Sequence, residues 1–400
     1  MQSYVLDWLS LLVRWFHLTA GIAWIGASFF FVWLDDNLNR EVSAAEKQRG
    51  INGELWSVHG GGFYHNQKFL TGPVGEPLSN HLHWFYWEAY STWLSGMAML
   101  AIVYWAGAET FLIDKTVLDL TPAAAIGISI GSLIAGWFIY DALCRIFEKN
   151  DFALWTSIGI MLLAFDWGFF HVFGARAAYI HVGAVIGTIM VWNVFFIIIP
   201  GQRKVVRQLR AGEVPDARPG FLGKQRSVQN TYFTLPVLFI MISNHYPMTY
   251  SGPYAWLVLA GIAIAGVLVR RFYVLTHFGK MMYALPVIAL AIIAGIAVAI
   301  APHTAPVAAA GTPAVTFAQA DAIVMQRCAV CHAAHPTEAG FTTAPQGILL
   351  DTPEHIIANA QLIKAQAVDS HAMPLGNITN MTDAQRATLG AWIDAGAKGP

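Results

Sequence analysis

The sequence predicts an all-α fold, an eight-helix transmembrane bundle followed by a small all-α domain. Three observations predict it. Apolar runs long enough to cross about 30 Å of hydrocarbon recur eight times within residues 1–301. Only 12% of the 400 residues are charged, about half the share usual in a soluble domain. From about residue 317 the apolar runs give way to a mixed, helix-forming segment that carries Cys328, Cys331 and His332.

The expected spans are 8–33, 84–106, 123–141, 153–172, 177–199, 230–246, 253–275 and 281–301. The first begins near Val5 and runs to Leu34, too long for a signal-peptide core. It has no basic n-region and no small-residue cleavage site, so it reads as a retained span. The sixth is short and contains Pro236, which predicts an irregular backbone. Residues 302–316 alternate Ala, Pro, Thr and Gly and read as a tether. The domains expected are therefore 1–301 (membrane domain), 302–316 (linker) and 317–400.

Lys and Arg orient the spans. Arg40, Lys47, Arg49 and Lys68 follow the first, Arg145 and Lys149 the third, and Arg270, Arg271 and Lys280 the seventh. The connection 200–229 adds seven more, from Arg203 to Arg226. The alternate connections hold only Lys115 and Arg176. The basic side is the cytoplasm, so both termini are expected outside, on the periplasmic face of a bacterial inner membrane. Net charge is −1, which argues against a nucleic-acid partner.

Cys328-Ala-Val-Cys331-His332 matches the attachment motif of a c-type haem: two thiols for the vinyl groups and an adjacent axial imidazole. A zinc pair would need further ligands, and this domain has no other Cys. Cys144, in a hydrophobic run, reads as an inert buried thiol. Met373, followed by Pro374, is the expected second axial ligand, so iron would be bound by His332 and Met373. Met381, Met325, His355 and His371 compete. Met325 is too near the motif to reach the opposite haem face. Met381 adjoins Thr382, which opens the last helix with Gln385 three residues on, a capping-box pattern. That helix, 383–395, aligns Leu389, Trp392 and Ile393 for packing against helix 317–327. The domain is expected to be a class I type cytochrome c.

A cytochrome anchor needs one span, so eight suggest chemistry in the bundle. Ionisable groups in lipid are functional candidates. His17 falls roughly 14 Å below the outer end of span one, with Arg14 one turn above it. His171, His181 with Arg176, and His245 with Asn244 also fall in the outer half. On the inner side lie His81, His83, Glu88, Asp141, Arg145 and His277, with Asp166 in mid-membrane. His17 could hold a b-type haem or bond a neighbouring helix, and both readings stay open. The run His59-Gly-Gly-Gly-Phe-Tyr-His65 could admit a ligand close to backbone, or form a turn.

Three stretches carry a family resemblance: His83-Trp-Phe-Tyr-Trp-Glu-Ala-Tyr-Ser-Thr-Trp-Leu-Ser-Gly96, His181-Val-Gly-Ala-Val-Ile-Gly-Thr-Ile-Met-Val-Trp-Asn193 and Asn230-Thr-Tyr-Phe-Thr-Leu-Pro-Val-Leu-Phe-Ile-Met-Ile-Ser-Asn-His245. On these the chain resembles the membrane-bound cytochrome c urate oxidases, or urate hydroxylases, over essentially its whole length. The resemblance implies conversion of urate and water to 5-hydroxyisourate without peroxide. Electrons would pass to one covalent haem c, then to a soluble cytochrome c or a terminal cytochrome oxidase. Urate at neutral pH is a planar monoanion. Arg176 or Arg14 could hold it, and Glu88 or a nearby His could activate water. Two electrons leave urate while haem c takes one at a time. This motivates a haem b held by two of His17, His181 and His245. The other readings are an electron-transfer subunit of a larger respiratory complex, and a transporter carrying a redox sensor.

Overall fold

The computed structural model describes residues 2–301, 315–338 and 341–400. Apart from Val315 and Thr316, the expected tether lies outside the described residues. The chain is mostly helical, and among the described residues its hydrophobic clusters fall on either side of that tether, two in the bundle and one in the C-terminal unit.

Helix α1 runs Gln2–Asn37. The short α2, Ala44–Gln48, is closed by a capping box between Ser43 and Glu46. Strands β1 (Ile51–His59) and β2 (Gly62–Phe69) then pair antiparallel. This hairpin corrects the all-α expectation. Trp56, Val58, Phe63 and Tyr64 favour extended backbone, and Gly60 and Gly61 at φ +59 and +81 supply the tight turn that joins it. The glycine run is thus a hairpin turn.

Helix α3, Trp87–Met99, continues as a π-helical turn, Leu100–Trp105, and a second π turn follows at Ala108–Leu112. Helix α4, Pro122–Ile146, starts with Thr121 as its cap and Pro122 in the first turn. Helix α5, Asp151–Phe169, is capped by Asn150. Helix α6, Ala175–Trp192, widens into a π turn at Asn193–Ile198 and runs on into α7, Ile199–Arg210. Helices α8 (Arg218–Ser243, with Pro236 inside), α9 (Ala255–His277) and α10 (Ala284–Ala299) complete the bundle.

Among the described residues, five segments are long and apolar enough to cross a membrane: Trp8–Asn37, Pro122–Ile146, Asp151–Phe169, Ala175–Arg210 and Ala255–His277. Ala284–Ala299 is apolar but shorter. The other two expected spans are helical but differ from these. Residues 84–106 divide between α3 and its π turn. Residues 230–246 lie in α8, whose first half carries Arg218, Lys224 and Arg226. The outward faces present large apolar side chains such as Trp15, Phe16, Ile22, Phe138, Ile160 and Leu290. That is the surface expected of helices facing lipid.

Helix α6 forms the axis of the bundle. Tyr179, His181, Val185 and Ile189 are fully buried on it, packed by α4, α5 and α8. In the C-terminal unit, α11 (Phe317–Arg327) and α14 (Asp383–Asp394) pack together as expected, around the short α12 (Pro353–Ala358) and α13 (Ala360–Ile363). Leu389, Trp392 and Ile393 are buried, and the Phe317 ring meets Trp392 edge-on at 5.9 Å. Both long helices start in capping boxes, Thr316 with Gln319 and Thr382 with Gln385.

Candidate functional site

A cavity of about 510 Å3 lies where the C-terminal unit meets one end of the bundle. From the C-terminal side it is lined by Cys328, Cys331, His332 and Met373. Cys328 caps α11, and the amides of Cys331 and His332 both donate to its carbonyl (3.1 and 2.9 Å), which folds the motif into a tight turn. His332 Nδ1 donates to the Ile348 carbonyl at 3.0 Å, which fixes the ring and leaves Nε2 for a metal. The Met373 amide donates to the Gln366 carbonyl at 2.8 Å. Its own carbonyl accepts from Arg386 at 2.7 Å, and the same guanidinium nitrogen reaches Ala367 O. Met381 instead lies in the core and does not line the cavity. His355 is tied to Asp351 at 2.8 Å.

This donor set fits a covalently attached haem, with two thiols, an oriented imidazole and a thioether around one apolar space. It does not suit zinc. Among the described residues no group of three or more His, Cys, Asp or Glu is arranged to hold a metal ion.

From the bundle, Arg14, Arg176, Asn244, His245, Phe111 and Tyr250 line the same cavity. Arg176 stands in the first turn of α6. Its Nε donates to Asn244 Oδ1 at 3.0 Å, and its guanidinium lies 5.8 Å from the Phe111 ring centre. Arg14 Nε donates to Ser10 Oγ at 3.1 Å. Four of the expected outer residues, Arg14, Arg176, Asn244 and His245, are thus brought together opposite the Cys-x-x-Cys-His turn.

The others stand elsewhere. Glu88 is in the first turn of α3, away from the cavity, with Oε2 buried and unpaired. His171, just past the end of α5, bonds the Trp167 carbonyl of that helix at 2.7 Å. His17 Nδ1 donates to Thr92 O at 2.9 Å, the arrangement that orients a ligand imidazole. His181 is closed on both sides. Nδ1 donates to Ala177 O at 2.8 Å, and Nε2 accepts from Ser129 at 2.7 Å. Ser129 in turn accepts from Trp105 Nε1 at 2.9 Å. Phe169 and Phe173 press on the ring. An iron at His181 Nε2 would have to displace Ser129, so the residues around His181 do not fit a haem as they stand.

A second polar cluster was read from the sequence only through Asp141 and Arg145. Asp141 accepts from Arg226 and Arg145, each at 2.6 Å. Gln229 accepts from Tyr140, and Asn193 donates to Tyr140 Oη and Asn230 Oδ1 at 2.9 and 3.1 Å. Arg226 keeps Nε and Nη1 unpaired although it is only 2% exposed. Asp141 stands about 28 Å along α4 from its start, at the end of the bundle away from the cavity. The spacing 226, 229, 230, 233 was the available signal. It was hidden because α8 begins twelve residues before the expected span. Cys144 is buried here beside Gln229, as expected of an inert thiol. Asp166 is buried with Oδ1 unpaired.

Fold and site define a mostly helical protein of membrane character, in which a bundle presents two arginines and a histidine to a Cys-x-x-Cys-His unit. The chain belongs to the urate oxidase N-terminal family, whose model matches residues 3–301, the entire bundle. Membership ties the chain to urate oxidation and to the oxidoreductases. No curated protein and no solved structure matches it.

Proposed function

We propose that the protein is a membrane-bound urate hydroxylase that passes electrons from urate to its own haem c. One observation carries this reading. The family-matched bundle and the Cys-x-x-Cys-His unit share one cavity, with cationic side chains on one wall and the thiols, His332 and Met373 on the other. Arg176, held by Asn244, and Arg14 receive the planar monoanion. Phe111 provides an apolar wall. His245 takes the proton from the water whose oxygen adds to urate, replacing Glu88 in that role because Glu88 lies elsewhere. Urate and water give 5-hydroxyisourate, two protons and two electrons. A haem c held by Cys328, Cys331, His332 and Met373 would supply a one-electron acceptor for these electrons, on their way to a soluble cytochrome c or a terminal oxidase. Of the three candidate histidines, His17, with Nδ1 held by Thr92, would hold a second, non-covalent haem. The Arg226 cluster is the alternative anion site, but its depth separates it from any acceptor at the cavity. The bundle crosses the inner membrane eight times with the cavity end periplasmic, a reading supported by the Lys/Arg asymmetry.

The test uses the purified full chain under anaerobic conditions. Urate should bleach while a c-type reduced spectrum appears, with two haem equivalents reduced per urate and no peroxide. Xanthine, lacking the C8 oxygen, should be a poorer donor. Urate loss that requires oxygen and yields peroxide, with haem left oxidised, would overturn the reading. Haem reduction that needs a separate protein instead of urate would favour an electron-transfer subunit of a larger complex.

A further inference from the structure

The segment that presents Met373 also touches the bundle. Gly376, three residues on, has φ +57. A Cβ at this position would stand 3.1 Å from the Thr110 carbonyl oxygen and 3.3 Å from that of Ile113. Both are backbone atoms of the π turn Ala108–Leu112 and its cap. No flexible side chain is present to swing aside, so the approach depends on the absence of a side chain.

Each side of this contact leads to the site by a short route. On the bundle side, the Ile113 amide donates to Ala108 O at 2.9 Å, which holds the turn closed. The carbonyl of Leu112 accepts from the Gly174 amide at 3.1 Å. Gly174 caps α6 two residues before Arg176. On the other side, the Asn377 amide donates to Pro374 O at 2.9 Å, and Arg386 holds the Met373 carbonyl. Pro374 and Leu375 face Thr110 and Phe111 across the cavity. One contact therefore links the loop that carries Met373 to the start of α6, which carries Arg176.

We propose that the loop Met373–Asn377 is the surface by which the C-terminal unit docks on the bundle. Gly376 is its seat on the turn Ala108–Leu112, and electrons pass from the cavity to the haem only in the docked state. The electron step rests on the urate reading above; the docking step does not. No bond is made or broken in docking.

The experiment compares Gly376→Ala and Gly376→Asn in the full, haem-loaded chain. Asn tolerates the left-handed backbone but still carries a Cβ, which separates obstruction from backbone strain. Both variants should slow anaerobic haem reduction by urate by about tenfold or more. Both should keep the wild-type rate with dithionite and the Met–iron absorption band. Both should also raise hydrogen–deuterium exchange in residues 108–113. Wild-type behaviour in both variants would overturn the proposal. So would a defect confined to the Ala variant, which would indicate strain alone, or loss of the Met–iron band in both. If urate fails to reduce the wild-type haem, the urate reading falls, and exchange at 108–113 still decides the seat.

Discussion

Arg176 and Asn244 meet across 68 positions of sequence, and that meeting makes a cation at a helix start into a directed one. A guanidinium at the N-terminal turn opposes the helix dipole, so its position needs a holder, and Asn244 supplies it. Replacing Arg176 by Gln removes a charge-assisted contact of about 1.5–3 kcal/mol. The urate KM should rise roughly 10- to 100-fold, while the c-type spectrum stays unchanged. Anaerobic reduction rates against urate concentration measure this, and an unchanged KM with a shifted haem spectrum would assign Arg176 to the haem instead. At this scale consecutive residues were the easiest to read as one site: Cys328, Cys331 and His332 fold into one turn and line one cavity. The sequence was legible also where depth sorts charges, as for Arg14, Arg176 and His245. Glu88 and His181 illustrate the limit. Both are polar groups in apolar helices, and only packing distinguishes a group with a structural partner, such as His181 beside Ser129, from one that faces a site.

Among the elements, helix ends were the most readable. The capping box at Thr382 and Gln385 and the apolar face Leu389, Trp392, Ile393 needed only local spacing, and both are present. The hairpin 51–69 was missed because it sits between spans, where a glycine run reads equally as a loop. The start of α8 was missed because its first turns are basic, and charge was assigned to a connection. Helix α12 shows an element held from outside. The Asp351 carboxylate accepts from the Ala334 amide at 2.8 Å and from His355 Nδ1 at 2.8 Å, which joins the turn after His332 to α12. The Ala334 amide, then His355, holds this carboxyl below the usual carboxylate range. A depressed folded value stabilises the fold above the unfolded value of about 3.9 and ceases to do so as pH falls through the folded one. Asp351→Asn should therefore lower the thermal midpoint of the haem-bearing unit at pH 7. The difference from wild type should close as pH drops below about 4. Soret-detected melting of the full chain against pH checks it, and a gap that persists in acid would show that shape, not charge, is what Asn lacks.

For the whole molecule, orientation is the property on which the reading stands. Reporter fusions after Gly107 and after Pro302 should be active outside the cytoplasm, and one within 200–229 inside. An external signal from 200–229 would dismantle the eight-crossing arrangement and with it the periplasmic placement of the cavity. The expected orientation rests on the Lys/Arg distribution, which is a sum over many residues and tolerates local error. The cavity was not readable, since it arises from two units separated along the chain and closed against each other in space.

The π turns Leu100–Trp105 and Ala108–Leu112 stand between two contacts already described. Trp105 reaches Ser129, and through it His181, while Thr110 and Ile113 carry the carbonyls that receive Gly376. A π turn is an α-helix with one residue too many. Deleting a single residue here would restore the ordinary winding and rotate the downstream chain by about 100°. Trp105 would leave Ser129, or the carbonyls would leave Gly376, with no side chain changed in character. In this stretch the number of residues is under tighter constraint than their identity. Substitutions should be absorbed here more readily than a one-residue change in length.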